Sequence, residues 1–376
     1  MTFVIAELAL VASALYAGAV LRAGVAARAL PARGLARSAY RAPDAADAEL
    51  DALAERHPTL ARVEAYGRSQ GGRALRLVRV GAREAPARLL VTGHIHAGEF
   101  VGGHVARAVA RAIAEGDDDD ARALRARAQV LVAPLLNPDG AVRVWERGGW
   151  TRLSGMRHTQ GGVDPNRNFP FEGWREGGRR DGPAHRRERA WNSARSRPGT
   201  VYYRGPGPLS EVECRALVAL CARERFCAAL HFHSFGAVVY APALVDGFAG
   251  ARGDGIARGL AVFEGAFQSR QRERRYRYVP ERPAAIAGQL DAYLVGAFGI
   301  PSATVEVGRP GLALLHPARF ANPFWLWNPV DPERWARNDV PAALHALRAM
   351  LDATGGAPSS PRQPRLAAAI EADLGA

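Results

Sequence analysis

Four short apolar runs, each leading to a residue that can do chemistry, constrain what this chain can fold into more than any other feature. Arg88 to Thr92 runs into His94, Gln129 to Leu135 feeds Asn137, Ala228 to Phe232 feeds His233, and Ser302 to Val307 carries Glu306 near its end. Runs this short and this apolar read as strands buried on both faces. Helical patterns separate them: Val101 to Ala114, a segment opening with the capping-box sequence Ser210-Glu211-Val212-Glu213, then Asp254 to Ser269 and Leu290 to Phe298. Strands alternating with helices predict an α/β sheet. Such sheets set their sites beyond the strand ends.

The flanking segments fill in the picture. Ala45 to Arg56 reads as a helix with Leu50, Leu53 and Ala54 on one face, and His57-Pro58 ends it. Val63 to Tyr66 and Leu75 to Val80 read as strands around a turn at Ser69 to Gly72, and Val238 to Ala241 as a further strand. Gly116 to Asp120 reads as a solvated acidic loop. Residues 141–200 are rich in Gly and Arg without periodicity, a loop long enough to suggest function. No internal repeat is present.

Composition matters mainly for what it excludes. The chain has 376 residues, is 48% hydrophobic and 23% charged, and carries a formal charge of +13. This is a globular balance. The positive charge is all arginine, without a single lysine, and it is spread from Arg22 to Arg365. No aromatic-interleaved basic strand or recognition helix accompanies it, so no nucleic-acid partner is expected. Cys214, Cys221 and Cys227 are odd in number, and the first two are about 10 Å apart along a helix, so buried thiols are expected rather than disulfides.

The chemistry concentrates in five ordered segments. They are Gly93-His94-Ile95-His96-Ala97-Gly98-Glu99, Asn137-Pro138-Asp139-Gly140, Gly162-Val163-Asp164-Pro165-Asn166-Arg167-Asn168-Phe169, Leu230-His231-Phe232-His233-Ser234-Phe235-Gly236, and Ala303-Thr304-Val305-Glu306-Val307-Gly308. Two neutral imidazoles and a carboxylate would leave a fourth position on Zn²⁺ for water, the pattern of a catalytic metal. His96 and Glu99, three apart, fall on one side of a turn or helical start. His94 and His231 lie two residues before the histidines of interest, share a strand face with them, and are not excluded by spacing. Arg167 offers a planar fork suited to a carboxylate, and Asn166 adds amide donors. A carboxylate such as Glu306 beside a metal can carry a proton.

In this order the segments resemble the zinc carboxypeptidases of the carboxypeptidase A type. Tyr66-Gly67-Arg68-Ser69-Gln70-Gly71-Gly72-Arg73, Tyr203-Arg204-Gly205-Pro206 and Ser210-Glu211 extend the resemblance, which runs from about Tyr40 to Glu306. It implies a mixed, largely parallel central sheet sandwiched by helices, with one Zn²⁺ held by His96, Glu99 and His233. It also implies a peptide substrate whose free C-terminal carboxylate is held by Asn166 and Arg167, with Glu306 as general base and acid. His94 and His231 then become core histidines. The family's oxyanion arginine, usually in a Trp-Arg context, is matched to Arg152 in Trp150-Thr151-Arg152, with Arg157 and Arg147 behind it. Leu290 takes the specificity position, an apolar choice that argues against C-terminal Lys or Arg. The family's mobile tyrosine has no counterpart, because counting back from Glu306 reaches Arg282-Pro283-Ala284-Ala285.

The implied organisation is an apolar segment and linker over 1–39, a catalytic domain over 40–354, and a linker and tail over 355–376. Phe3 to Leu21 is nearly all apolar and is followed by arginines, which raises membrane association or export. Hydrolysis of peptidoglycan-type peptides by the same metal chemistry, or peptide binding without turnover, are the other functions such a site can serve. Retention of Glu306 speaks against the second of these.

Overall fold

The computed structural model describes residues 13–22, 35, 38–171, 197–242, 253–281, 288–311 and 316–359. Eight strands form one sheet: β1 (Ala61–Arg68), β2 (Ala74–Val80), β3 (Ala87–Gly93), β4 (Ala128–Ala133), β5 (Ala228–His233), β6 (Val238–Pro242), β7 (Arg277–Glu281) and β8 (Ser302–Glu306). Their order is β1-β2-β4-β3-β5-β8-β6-β7. The central ladders β4–β3, β3–β5 and β5–β8 are parallel. The β1–β2, β2–β4 and β6–β8 pairings are antiparallel, and β7 joins β6 in parallel.

Alternation along the central strands supplies two cores. Leu89 and Val91 of β3 and Leu230 and Phe232 of β5 face one cluster, which contains Leu50 and Leu53 from helix α1 (Pro43–Arg56) and Val101, Val105 and Val109 from helix α2 (Phe100–Glu115). The helix Pro332–Thr354 covers the same side with Leu344, Leu347 and Leu351. Leu90 and Ala229 face the other cluster, with Leu217 and Leu220 of the helix Val212–Glu224 and with Leu290 and Leu294. Period-two side-chain direction on buried strands dictates this split. The mixed sheet between two helical layers is therefore the architecture the sequence predicted.

Several local expectations are corrected. The acidic run after Gly116 is a helix start rather than a loop: Asp118 accepts from Ala121 N and caps Asp119–Arg127. Asn137 likewise caps Pro138–Glu146, accepting from Gly140 N, so the supposed loop begins later than residue 141. The capping box at Ser210 does not form. Glu211 is the N-cap without a side-chain cap bond; its carboxylate accepts from Thr159 Oγ1 and that of Glu213 from Gln70 N. Strand β7 was not anticipated. It carries Pro280, which an edge strand tolerates, and only half-buried or exposed residues. The three cysteines are buried and free.

Among the described residues no helix is long and apolar enough to cross a membrane. Residues 3–12, the segment 282–287 where the tyrosine count falls, and the tail after 359 lie outside the described residues.

Candidate metal centre

Parallel pairing brings the strand ends together. Gly93 is opposite Phe232, and His233 is opposite Glu306. Chain leaving β3 turns through His96 to Glu99, the N-cap residue of α2, with Glu99 N donating to His96 O at 3.1 Å. The turn is pinned from below, since Gly98 N donates to Met156 O at 2.7 Å. A Cβ at Gly98 would come within 2.7 Å of Met156 Sδ, so a larger residue there would have to displace that buried methionine.

Three candidate ligands converge. Nδ1 of His96 lies 2.6 Å from Glu99 Oε1, and Nδ1 of His233 lies 3.1 Å from Glu99 Oε2. All three side chains are buried, and their candidate donor atoms lie within 4.8 Å of one another. The chemistry of the set fits a cation. Beyond the His233 ring, the buried Glu99 Oε2 has no other polar partner. Burial alone would raise the Glu99 carboxyl, but the two imidazoles beside it hold it below its ordinary range. Burial keeps His233 neutral-leaning by lowering its pKa, which suits a ligand.

The remaining ring nitrogen of His96 is oriented by a group the sequence reading quoted without a role. Asp164 Oδ1 lies 3.2 Å from His96 Nε2. This is the carboxylate–histidine arrangement that fixes the tautomer of a metal ligand. Asp164 is fully buried, caps the short turn Pro165–Arg167 through Asn166 N, and accepts from Arg157 Nε at 3.0 Å. Burial would raise its pKa, yet Arg157, then His96, keep it well below the carboxylate range. The Asp-Pro pair at a turn start was the signal for it.

His94 and His231 are core residues. His231 bonds Thr92 Oγ1 at 2.8 Å and Ser302 Oγ at 2.9 Å, and burial drops its pKa to about 3. His94 Nε2 bonds Ala97 O, its ring lies against Phe100, and burial drops its pKa to about 4.

The Asp164–Phe169 loop sits beside the centre. Asn166 Oδ1 accepts from Leu290 N at 2.9 Å, and Asn168 ties Arg204 O, Gly207 O and Ser210 Oγ. The guanidinium of Arg167 bonds Asn166 O, while its Nε is buried with no hydrogen-bond partner. Tyr202 lies against two arginines, its ring centroid 4.9 Å from Arg157 Cζ and 5.5 Å from Arg167 Cζ. Leu290 itself is buried in the second apolar cluster. Glu306 ends β8 with Oε2 buried and without a hydrogen-bond partner. Burial, and then the nearby Glu99, push its carboxyl well up.

Arg152 does not reach this cluster. It is exposed, and its carbonyl caps the turn by accepting from Met156 N. The chain from Thr151 folds back tightly so that Met156 O can bind Gly98 N, which turns Arg152 outward and Arg157 inward. Arg157 NH2 also lies 2.8 Å from His96 Nε2; with Nε2–H turned to Asp164, this is a close approach of two donors that share the Asp164 carboxylate rather than a hydrogen bond.

The sequence matches the zinc carboxypeptidase family over residues 46–328. The chain belongs to that family. Among curated relatives, it is 31% identical to a carboxypeptidase B of Astacus astacus over 47% of this chain and 55% of that protein. It is 28% identical to a zinc carboxypeptidase of Simulium vittatum over 44% and 51%. The chain thus spans about half the length of the curated relatives it matches. Solved structures share the fold. Thrombin activatable fibrinolysis inhibitor aligns with a TM-score of 0.62 at 19% identity, over 83% of this chain and 74% of the other. The carboxypeptidase A of Helicoverpa armigera aligns with 0.62 at 18%, over 90% and 81%. This member of the zinc carboxypeptidase family therefore carries a buried His-Glu-His group of the kind its family's metal requires.

Proposed function

We propose that the protein is a zinc-dependent carboxypeptidase that hydrolyses the C-terminal amide bond of peptides, with residues 40–354 as its catalytic unit. The convergence of His96, Glu99 and His233 beside Glu306 carries this reading. His96, Glu99 and His233 would hold Zn²⁺, which when bound would supply Lewis acidity and lower the pKa of a water. Glu306 takes a proton from the attacking water and returns it to the leaving amine. Asp164 keeps the His96 ring in the ligating tautomer, which its 3.2 Å contact supports.

Arg167, with its unpartnered Nε, holds the substrate's free carboxylate together with the amide of Asn166. Asn166 is itself oriented by the Leu290 N–H, so the carboxylate site and the specificity position form one unit. The apolar side chain of Leu290 favours a C-terminal residue that is not basic. Arg157, half-buried beside His96, replaces Arg152 as the group that meets the developing oxyanion.

Membrane association through residues 3–21 is a further part of the proposal. Its support is the helix over 13–22, which leaves Leu15 and Leu21 exposed.

Elemental analysis tests the metal assignment. The protein as purified with zinc should hold one Zn²⁺ per chain, and His96→Ala should lose it. A wild-type protein that takes up no zinc, or a variant that retains it fully, would sink the assignment.

A further inference from the structure

The segment Asn322–Asn328, more than two hundred residues downstream of the His96–Glu99 turn, touches the chain beside both sets of candidate ligands, at Gly98 and Val101 and at Phe235. Asn328 is fully buried. Its Nδ2 donates to Gly98 O at 2.7 Å, and its Oδ1 accepts from Val101 N at 3.1 Å. Gly98 and Val101 bracket Glu99, so one side chain grips the backbone on each side of a ligand. Asn328 Nδ2 also donates to Phe324 O at 2.9 Å, anchoring the grip in the short helix Phe324–Trp327. That helix reaches the other ligand segment, because the rings of Trp327 and Phe235 pack edge to face, 6.4 Å apart, two residues beyond His233.

We propose that Asn328 is a positioning residue for the metal centre, fixing Glu99 and His96 through Gly98 O and Val101 N. The inference rests on the ligand assignment above. Four physical points carry it. The first turn of α2 leaves backbone N–H groups without helical partners, and Val101 N is one of them. Its buried donor is satisfied by a side chain from elsewhere instead of by a cap from the turn, since Glu99 makes no side-chain cap bond. The Glu99 carboxylate is thereby kept for the ligand cluster. An amide is the side chain that can donate to Gly98 O and accept from Val101 N at once.

Asn322 provides the control. It lies in the same segment, is buried, donates to Gly148 O at 2.7 Å and accepts from Phe324 N at 3.0 Å. It makes comparable bonds without touching the ligand turn.

The test compares Asn328→Ala and Asn322→Ala in the full chain. Zinc affinity is measured by competition with a chromophoric chelator, and amide exchange over Gly98 to Val101 is measured on metal-free protein. Asn328→Ala should weaken zinc binding by about 10- to 100-fold, the range for orienting partners of metal ligands, and should speed exchange at Gly98 to Val101. Asn322→Ala should lose stability to urea while keeping wild-type zinc affinity and exchange in that turn. Should Asn328→Ala fail to fold, Asn328→Asp retains the acceptor for Val101 N, removes the donor to Gly98 O, and should show the same two changes. Unchanged affinity and exchange in the Asn328 variants, or equal losses in Asn322→Ala, would overturn the proposal. A wild-type protein that binds no zinc would defeat the ligand assignment instead, and the exchange comparison would still decide whether Asn328 holds the turn.

Discussion

Glu306→Gln should lower kcat by about 10²- to 10⁴-fold, the span for removal of a positioned general base and acid. Zinc content should not change. The substitution is isosteric, and Glu306 sits across the β5–β8 ladder from His233 without belonging to the ligand cluster. Its Oε2 is buried without a hydrogen-bond partner in a sheet otherwise closed by ladder bonds, which frees that oxygen for proton transfer. The amide that replaces it cannot accept and return a proton at neutral pH. Glu99→Gln, by contrast, should reduce zinc occupancy itself, since its carboxylate lies between the two imidazoles. Retention of more than a tenth of wild-type kcat in a zinc-loaded Glu306→Gln protein would remove Glu306 from the mechanism.

The second large effect separates two arginines. Arg157→Ala, assayed at saturating zinc, should reduce kcat by about 10²- to 10³-fold, the cost of deleting an oxyanion donor. Arg152→Ala should stay within about twofold of wild type, as exposed substitutions do. Arg157 also pairs with Asp164, so its removal leaves a buried carboxylate uncompensated and should weaken zinc binding as well. Arg157→Lys is the informative companion. Lysine restores a positive charge near Asp164 but not the fork, so zinc binding should recover more than kcat. A larger loss of kcat in Arg152→Ala than in Arg157→Ala would return the oxyanion role to Arg152, through a rearrangement of the 151–157 turn on substrate binding.

How far the sequence could be read follows from the range of the interactions involved. The central strands were legible because Leu89-Leu90-Val91 and Ala228-Ala229-Leu230 are buried on both faces and need no partner to declare themselves. Strand β7 was not, because Arg277-Tyr278-Val279-Pro280-Glu281 is half-exposed at the sheet edge and forms only by pairing with β6. At the centre, His96 and Glu99 are separated by one turn, and their three-residue offset pointed to a pair only together with the ordered segments that follow it.

Arg157 and Arg152 are indistinguishable by spacing, since both follow Trp150 within a few residues. What separates them is the Met156 O to Gly98 N bond, a contact across 58 positions. Asn328 lies further still from the residues it grips, and an asparagine before a proline, as in Asn328-Pro329, reads locally as a turn former and nothing more. Residues that make chemistry were visible in short motifs, whereas those that aim them became visible only through packing.

The most direct test of the account is a pair of peptides identical except for a C-terminal carboxylate in one and a carboxamide in the other, incubated with the zinc-loaded protein. Release of the C-terminal residue from the free acid is the expected result. The amide should be cut at least about 10²-fold more slowly, because it forfeits the charged hydrogen bonds to Arg167, each of about 1.5–3 kcal/mol. Equal cleavage of both peptides, or cleavage of neither by a protein that holds its zinc, would contradict it.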